Sequence, residues 1–301
     1  LRVKEFNFNN KMALTTVVLN EEDFMWQFLD RIYPLFDSMV FAVDTRTTDK
    51  TREIIKRYGG VCVDAKFNDS FAEMRNVAVR QCKTDWILHL DPDEKVPLLN
   101  RLLWYVDAEK AADAFIFTVQ NLQKGGRVTF SESYRLFKNS KDIYYSGRVH
   151  ETIEQALGKM KATVKRSDVK IQHLGYLKND EVIEEKLKLY ERLNKLQIKD
   201  NPKDARPYFN LALHFINDGN REKGIELLAK AKELDPRYYL PRKELGLNYL
   251  RMAKDEFAAV LRILPQHHPL YQQTKELLTE VSAITEEAPI VGLARQRGDN
   301  S

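Results

Sequence analysis

The chain has 301 residues, is 43% hydrophobic, and carries 48 Lys and Arg against 44 Asp and Glu, for a formal net charge of +4. A chain of this length can bury a core and typically forms about two domains. The mild charge does not indicate a nucleic-acid partner, which usually needs a concentrated basic excess. Cys62 and Cys82 form no CxxC pair, no apolar run of about 18 residues occurs, and residues 1–11 lack a secretory apolar region. We therefore expect reduced thiols, no membrane span and a cytoplasmic location.

Strands and helices alternate in the first third of the chain. Apolar β-branched runs predict strands, and apolar residues at steps of three and four predict helices. In chain order these are a strand at 12–19, a helix after residue 20, a strand at 38–44, a loop and helix at 45–60, a strand at 61–67, a helix at 70–82 capped by Ser70, and a strand at 86–91. The alternation predicts an α/β fold with a mostly parallel sheet and ligands at the carboxyl ends of its strands. Asn20, Asp44 and Asp91 are expected along that edge.

Strand-like segments without regular helices follow from residue 114. They cover residues 114–122, 125–139, 142–147 and 164–176. We interpret them as the antiparallel closing part of the α/β domain.

The character of the sequence changes after Tyr176. Residues 180–199 carry a helical apolar stripe, and residues 205–236 have the spacing of a tetratricopeptide repeat, with Gly224 where Ala is usual. A second copy begins at Leu245 with a shortened inter-helix region, and a helix at 269–283 is expected to cap the stack. The predicted domains are residues 1–177 and 178–285, with a loosely ordered tail at 286–301.

Four motifs resemble a known family when taken in order. VVLNEED, VDTRTTDKT, FAEMRNVA and WILHLDPDE look like the nucleotide-sugar half of family-two glycosyltransferases with the GT-A fold. RVHETI and HLGY, followed by tetratricopeptide-like helices, are similar to one branch of that family. The resemblance implies a GT-A domain with a mixed, mostly parallel sheet, followed by an all-α tetratricopeptide-like domain.

Three carboxylates directly follow the strand at 86–91. Asp91, Asp93 and Glu94 lie within four residues, where like charges repel unless a cation neutralises them. Mn²⁺ or Mg²⁺ held there could bridge a diphosphate and assist its departure; the alternative is a plain acidic turn. By resemblance Asp93 binds the metal, His173 completes its shell, and Asp91 contacts the ribose or a metal-bound water or joins the shell.

The nucleotide and phosphate site is predicted from five side chains and their motifs. By resemblance the loop with Asn20 and Glu22 contacts base and ribose, and Arg75 faces the nucleotide. Asp44 could accept the uracil N3 hydrogen, and Arg135 could steady a phosphate or the acceptor. The structural alternatives are a helix N-terminal acid for Glu22, a surface salt bridge for Arg75 and a strand-surface arginine for Arg135.

Transfer to an acceptor needs a carboxylate within reach of the attacking atom. Glu151 is the first candidate base and Glu94 the second. There is no GxxxxGK[ST] or GxGxxG loop, so a metal must neutralise the phosphates.

The sequence predicts a soluble, metal-dependent, inverting glycosyltransferase that uses a UDP-sugar, UDP-glucose or a relative. A peptide, protein or saccharide acceptor is favoured and modified DNA stays open; a homodimer through the helical repeats is a further expectation. One alternative is a retired domain beside a peptide-binding repeat module. Another is a nucleotidyltransferase, but that would have a Gly-rich basic loop where this chain has the acidic NEED.

Overall fold

A computed structural model describes residues 11–96, 112–122, 126, 128–174 and 180–287. The chain divides into two compact units, Leu1–Ile183 and Glu184–Ser301. The predicted boundary between residues 177 and 178 lies outside the described residues. The predicted tail is partly helical, because the last helix continues to Glu287, and residues 288–301 lie outside the described residues.

The first unit is built on an eight-stranded mixed sheet. Its strands are β1 (Met12–Val18), β2 (Ser38–Asp44), β3 (Val61–Ala65), β4 (Trp86–His89), β5 (Glu94–Lys95), β6 (Ala114–Leu122), β7 (Val128–Lys138) and β8 (Val164–His173). They are arranged in the order β3-β2-β1-β4-β7-β6-β8-β5. β1 to β4 are mutually parallel, β7 is antiparallel to β4 and β6, β8 is parallel to β6, and β5 is antiparallel to β8. This confirms the predicted α/β class, with the mixed sheet expected of a GT-A domain.

Helices bury apolar side chains against the sheet. They are α1 (Glu22–Ile32), followed by a 3-10 turn at Tyr33–Leu35, α2 (Thr51–Arg57), α3 (Phe71–Val79) and α4 (Glu154–Met160). α1 buries Met25, Phe28, Leu29 and Ile32, which lie at helical spacing. Ser70 caps α3 as predicted, accepting the Glu73 amide hydrogen at 3.3 Å.

The closing part of the sheet differs from prediction in two ways. β8 is parallel to β6, so this part is mixed rather than antiparallel. Residues 142–147 form no strand, and their one ladder contact is a single bridge between Ser146 and Thr152. The reason is that the Asn76 carboxamide donates to the Tyr145 carbonyl and accepts from the Tyr145 amide, both at 2.9 Å. One side chain thereby replaces a neighbouring strand.

The helices of the C-terminal part follow the predicted repeat only in its first copy. They are α5 (Asp180–Asp200), α6 (Ala205–Asn217), α7 (Arg221–Leu234), α8 (Tyr239–Ile263) and α9 (Pro269–Glu287). The pair α6 and α7 shares a core that includes Phe209, Ala212 and Leu228. The predicted second helix pair is wrong, because α8 is one continuous helix of 25 residues. Leu, Arg, Met, Lys and Ala dominate its middle and favour an unbroken helix.

Across the described ranges, no helix is both long and apolar enough to span a bilayer.

Candidate active site

The strand ends at which we predict ligand binding lie along one edge of the sheet. β1, β2 and β4 are parallel, with β1 between the other two. Their carboxyl ends therefore lie side by side: Asp44 is the last residue of β2, and Asn20 and Asp91 follow β1 and β4 by two residues.

Asp91 lies among cationic and neutral donors. Its Oδ1 is 3.4 Å from Arg75 Nη1 and 3.1 Å from His89 Nε2, and its Oδ2 is 3.7 Å from Arg135 Nη1. Burial would raise the pKa of Asp91, but the charges of Arg75 and its neighbours outweigh burial and hold that pKa well below its usual value. These charges favour the ionised form of Asp91.

Glu94 anchors Arg135 beneath this carboxylate. Its Oε1 accepts from Arg135 Nη2 at 2.5 Å and its Oε2 accepts from the Asp91 amide at 2.9 Å. The Glu94 side chain is only 1% exposed. Burial, with the nearby Asp91 charge, raises the pKa of Glu94 to about 7 despite the opposing effect of Arg135. Arg135 is buried, so the predicted alternative of a surface arginine is not what the structure has.

Asp93 faces His173 because of a short strand pairing. β5 places Glu94 opposite His173, and the Leu174 amide donates to the Asp93 carbonyl at 2.9 Å. His173 Nε2 then lies 3.5 Å from Asp93 Oδ1. The other ring nitrogen, Nδ1, is 3.1 Å from Asn121 Oδ1.

The Asn121 contact fixes what lies between Asp93 and His173. The Asn121 amide nitrogen donates to Ser131 at 3.2 Å and its oxygen faces the ring, an orientation that favours the tautomer with hydrogen on Nδ1. In a neutral ring, Nε2 then turns a lone pair toward a carboxylate oxygen. Burial disfavours the imidazolium, but the contact with Asp93 outweighs it and raises the pKa of His173. With hydrogen on Nδ1, a proton or a metal ion between the two side chains would satisfy both of them.

The Asp93–His173 pair has a spacing that suits two of the ligands of a divalent ion. Adjacent ligands about 2.1 Å from an octahedral ion lie about 3 Å apart, close to the 3.5 Å seen between Asp93 and His173. Within the described ranges, no group of three or more His, Cys, Asp or Glu is arranged to hold a metal. The chain would therefore supply Asp93 and His173, leaving other positions to substrate phosphate and water. The two guanidinium groups beside Asp91 disfavour it as a direct third ligand.

Glu151 is joined to the same cluster through Arg75. Arg75 Nε contacts Glu151 Oε1, and the Glu151 side chain is 8% exposed. The Arg75 guanidinium also lies 5.6 Å from the Tyr145 ring centroid. Arg75 is therefore partly buried and paired with Asp91 and Glu151, so its salt bridge lies within the cluster rather than on an exposed helix surface.

Asn20 and Glu22 bind the loop before α2. Asn20 adopts φ 50°, and its Oδ1 accepts from the Thr48 amide at 2.9 Å. Glu22 Oε2 accepts from the Lys50 amide at 2.8 Å, and the Asp49 carboxylate accepts from the Glu22 amide at 3.0 Å. These contacts tie the ends of β1 and β2 together. Glu22 is also the first residue of α1, so the helix N-terminal acid weighed for it is present, and its predicted base or ribose contact stays a prediction.

The Asp44 carboxylate accepts its hydrogen bonds from Arg46. Oδ1 accepts from Arg46 N at 2.9 Å and Nε at 3.0 Å, and Oδ2 accepts from Nη2 at 2.7 Å. Burial would raise the pKa of Asp44, but the Arg46 hydrogen bonds lower it overall.

Several residues of this cluster were not singled out by their sequence. His89 is 1% exposed, with Nδ1 3.2 Å from the Thr15 hydroxyl. Burial, followed by the charge of Arg75, holds the pKa of His89 well below its usual value, so a neutral ring bridges Thr15 and Asp91. A histidine inside a strand that is otherwise apolar was the available signal. The sequence around Tyr145 and Asn121 carried no such signal, because the residues they contact in the site are distant in the chain.

The sequence of the first unit matches a known protein family. Residues 15–163 match the family model of Glycosyl transferase family 2. This region is a family 2 glycosyltransferase domain. The glycosyltransferase domain thus contains the whole sheet edge described above, together with Asp93 and Glu151, whereas His173 lies ten residues beyond the match.

One curated relative and several solved structures are similar to the chain. A TPR repeat-containing protein of Synechococcus elongatus is 28% identical over 148 residues, 49% of this chain and 36% of that protein, so the chain spans about a third of its length. The crystal structure of S. aureus TarS 1-349 has 15% identity, a TM-score of 0.44 and coverage of 92% of this chain and 90% of that one. Its complex with UDP has a TM-score of 0.40, 15% identity and the same coverage. A 4-diphosphocytidyl-2C-methyl-D-erythritol synthase from Anaerococcus prevotii has 12% identity, a TM-score of 0.39 and coverage of 56% and 90%.

Proposed function

We propose that the glycosyltransferase domain moves a sugar from a UDP-sugar, UDP-glucose or a close relative, to an acceptor with inversion, assisted by Mn²⁺ or Mg²⁺. The observation that carries this proposal is the Asp93–His173 pair, a carboxylate oxygen and an imidazole nitrogen 3.5 Å apart beside the family 2 domain's strand ends. When bound, the ion would neutralise charge on the departing diphosphate.

Glu151 is the proposed base. In the step, the acceptor oxygen or sulfur gives its proton to Glu151 and bonds to the anomeric carbon. The bond from that carbon to the diphosphate oxygen breaks, and its electron pair leaves with UDP. Arg75 contacts both Glu151 and Asp91, so it positions the base relative to the carboxylate that is proposed to lie beside the nucleotide.

Glu94 is better suited to hold Arg135. Both of its oxygens already accept hydrogen bonds, and its side chain is 1% exposed. Its burial, rather than a lack of free acceptor positions, restricts the access of an acceptor hydroxyl. Asp91 is proposed to contact the ribose or a metal-bound water.

The acceptor is proposed to be a peptide or a saccharide. Residues 178–301 carry 21 Lys and Arg and 20 Asp and Glu, which leaves 27 and 24 for residues 1–177. Neither part concentrates positive charge as a polyanion acceptor would require, so modified DNA is the less favoured substrate.

The metal role is tested with Asp93→Asn and His173→Ala. Both variants should lose Mn²⁺-dependent UDP binding in calorimetry and UDP release from a UDP-sugar panel, while circular dichroism stays native. Asp168→Ala is the matched control, because Asp168 is an exposed carboxylate on β8, the strand that carries His173. If the unaltered protein binds no UDP with Mn²⁺, the domain is a retired one and the repeat-module hypothesis is favoured.

The base role is tested separately. Glu151→Gln should retain UDP binding and lose at least about 100-fold of the transfer rate, because general base catalysis contributes that much or more. Full transfer activity in this variant would assign the base elsewhere.

A further inference from the structure

The group that faces solvent at the end of β2 is Arg46. The Asp44 side chain is 3% exposed, whereas the Arg46 side chain is 61% exposed. Asp44 Oδ1 already accepts two hydrogen bonds and Oδ2 accepts one, all from Arg46. A carboxylate oxygen has about two acceptor positions, so Oδ1 is saturated. Direct contact between Asp44 and a ligand would require Arg46 to move.

Arg46 is held in one orientation with donors to spare. Its Nε and Nη2 edge is fixed by Asp44, and its guanidinium carbon lies 5.4 Å from the Phe67 ring centroid. Among contacts with the described residues, Arg46 Nη1 makes no hydrogen bond. Phe67 follows β3, which pairs with β2 through Asp44 and Ala65. An oriented donor edge and an aromatic ring therefore lie together at the ligand edge of the sheet.

We propose that Arg46 contacts a carbonyl oxygen of the nucleobase, and that Asp44 is the buried carboxylate that positions Arg46. This inference rests on the proposed use of a UDP-sugar. Uracil offers two carbonyl acceptors, and a fixed guanidinium presents several hydrogens in one plane. Because Asp44 balances the charge of Arg46, the pair suits a neutral carbonyl better than a phosphate. This reverses the sequence prediction, in which Asp44 itself receives the uracil N3 hydrogen.

The test compares UDP with uridine, which has the base but no phosphate. Arg46→Ala should weaken both ligands by a similar factor of about ten or more, the value of a hydrogen bond to a charged group. UDP is measured by calorimetry with Mn²⁺, and uridine by displacement of UDP. Arg52→Ala is the matched control: Arg52 lies on the adjacent helix α2, is paired with Asp64 at 2.7 Å, and should change neither affinity by more than about twofold.

Each other result overturns the inference. A loss for UDP without a loss for uridine would assign Arg46 to a phosphate. Unchanged or tighter binding of both would show that Arg46 only covers Asp44 and that Asp44 is the base acceptor. If Arg46→Ala does not fold, Arg46→Lys keeps a cation beside Asp44 but lacks the planar donor edge, and it should still weaken uridine. Absence of UDP binding by the unaltered protein would instead refute the proposed function.

Discussion

Tyr145, like Arg135, carries a buried side-chain atom without a hydrogen-bond partner among the described residues. Its side chain is 5% exposed, and its hydroxyl is buried without a hydrogen-bond partner among the described residues. The ring packs edge-on to Phe137 and His89, and Arg75 lies over its face. A buried, unpaired hydroxyl costs about 1–3 kcal/mol. The aromatic ring, and not the hydroxyl, therefore contributes to folding.

Tyr145→Phe should leave the free energy of unfolding unchanged or raise it by about 1 kcal/mol, because the unpaired group is removed and the ring is kept. Urea denaturation measures this, and Tyr145→Leu serves as the contrast that removes the aromatic contacts and should destabilise. A clear loss of stability in Tyr145→Phe would mean that the hydroxyl has a partner in solution.

Single residues were predictable where local sequence determines their position. Asp91, Asp93 and Asp44 follow apolar strands, so their place at the sheet edge could be inferred. The neighbours of these residues could not. Arg75 and Glu151 are 76 positions apart, so their contact has no local signal. The local sequence VDTRTTD likewise does not indicate that the Arg46 side chain pairs with Asp44.

At the scale of elements, Gly224 sets how closely α6 and α7 approach. A Cβ atom on Gly224 would lie 2.3 Å from Ile216 Cγ1 and 3.0 Å from the Ala212 carbonyl oxygen. These distances are shorter than van der Waals contact, and one of the two atoms is backbone. The departure from the usual Ala of the repeat therefore has a packing reason in this chain.

Gly224→Ala should destabilise the helical unit by about 1–3 kcal/mol, although Ala favours helices, because overpacking displaces α6. Gly246→Ala is the matched control in α8, where an added Cβ meets nothing within 4 Å. It should stabilise by about 0.5–1 kcal/mol. Thermal unfolding of both variants decides the matter, and equal effects would contradict the packing argument.

Elements with a strong local pattern and their mostly parallel arrangement were predicted, whereas the pairing of the short strand β5 was not. β1 to β4 and the helices between them follow from apolar periodicity. β5 is two residues long, and its pairing with β8 depends on contacts about 80 residues away. The geometry of Asp93 and His173 depends on this pairing, so the sequence could name the two residues but not derive their distance.

At the scale of the whole molecule, the two units differ in how completely their apolar side chains are buried. The first encloses a core on both faces of its sheet. In the second, no described side chain of α9 is buried, and Leu270, Leu277 and Ile284 are 53%, 39% and 51% exposed at intervals of seven residues. Such a stripe favours the predicted homodimer through the helical repeats, which stays a prediction.

Native-state hydrogen exchange should show weaker protection in α9 than in α6, because α9 buries no described side chain whereas α6 buries Phe209, Leu211 and Ala212. The experiment is run on the full chain at low concentration. Protection of α9 equal to that of α6 would contradict the expectation. Protection that rises with protein concentration would support the homodimer.

The unbroken course of α8 limits how this protein can lengthen. Its 25 residues extend about 37 Å at 1.5 Å per residue, where two hinged helices would have doubled back. Tandem duplication of the 205–236 segment would therefore add a second short hairpin ahead of Tyr239, whereas past Ile263 the chain already turns back and packs α9 against α8.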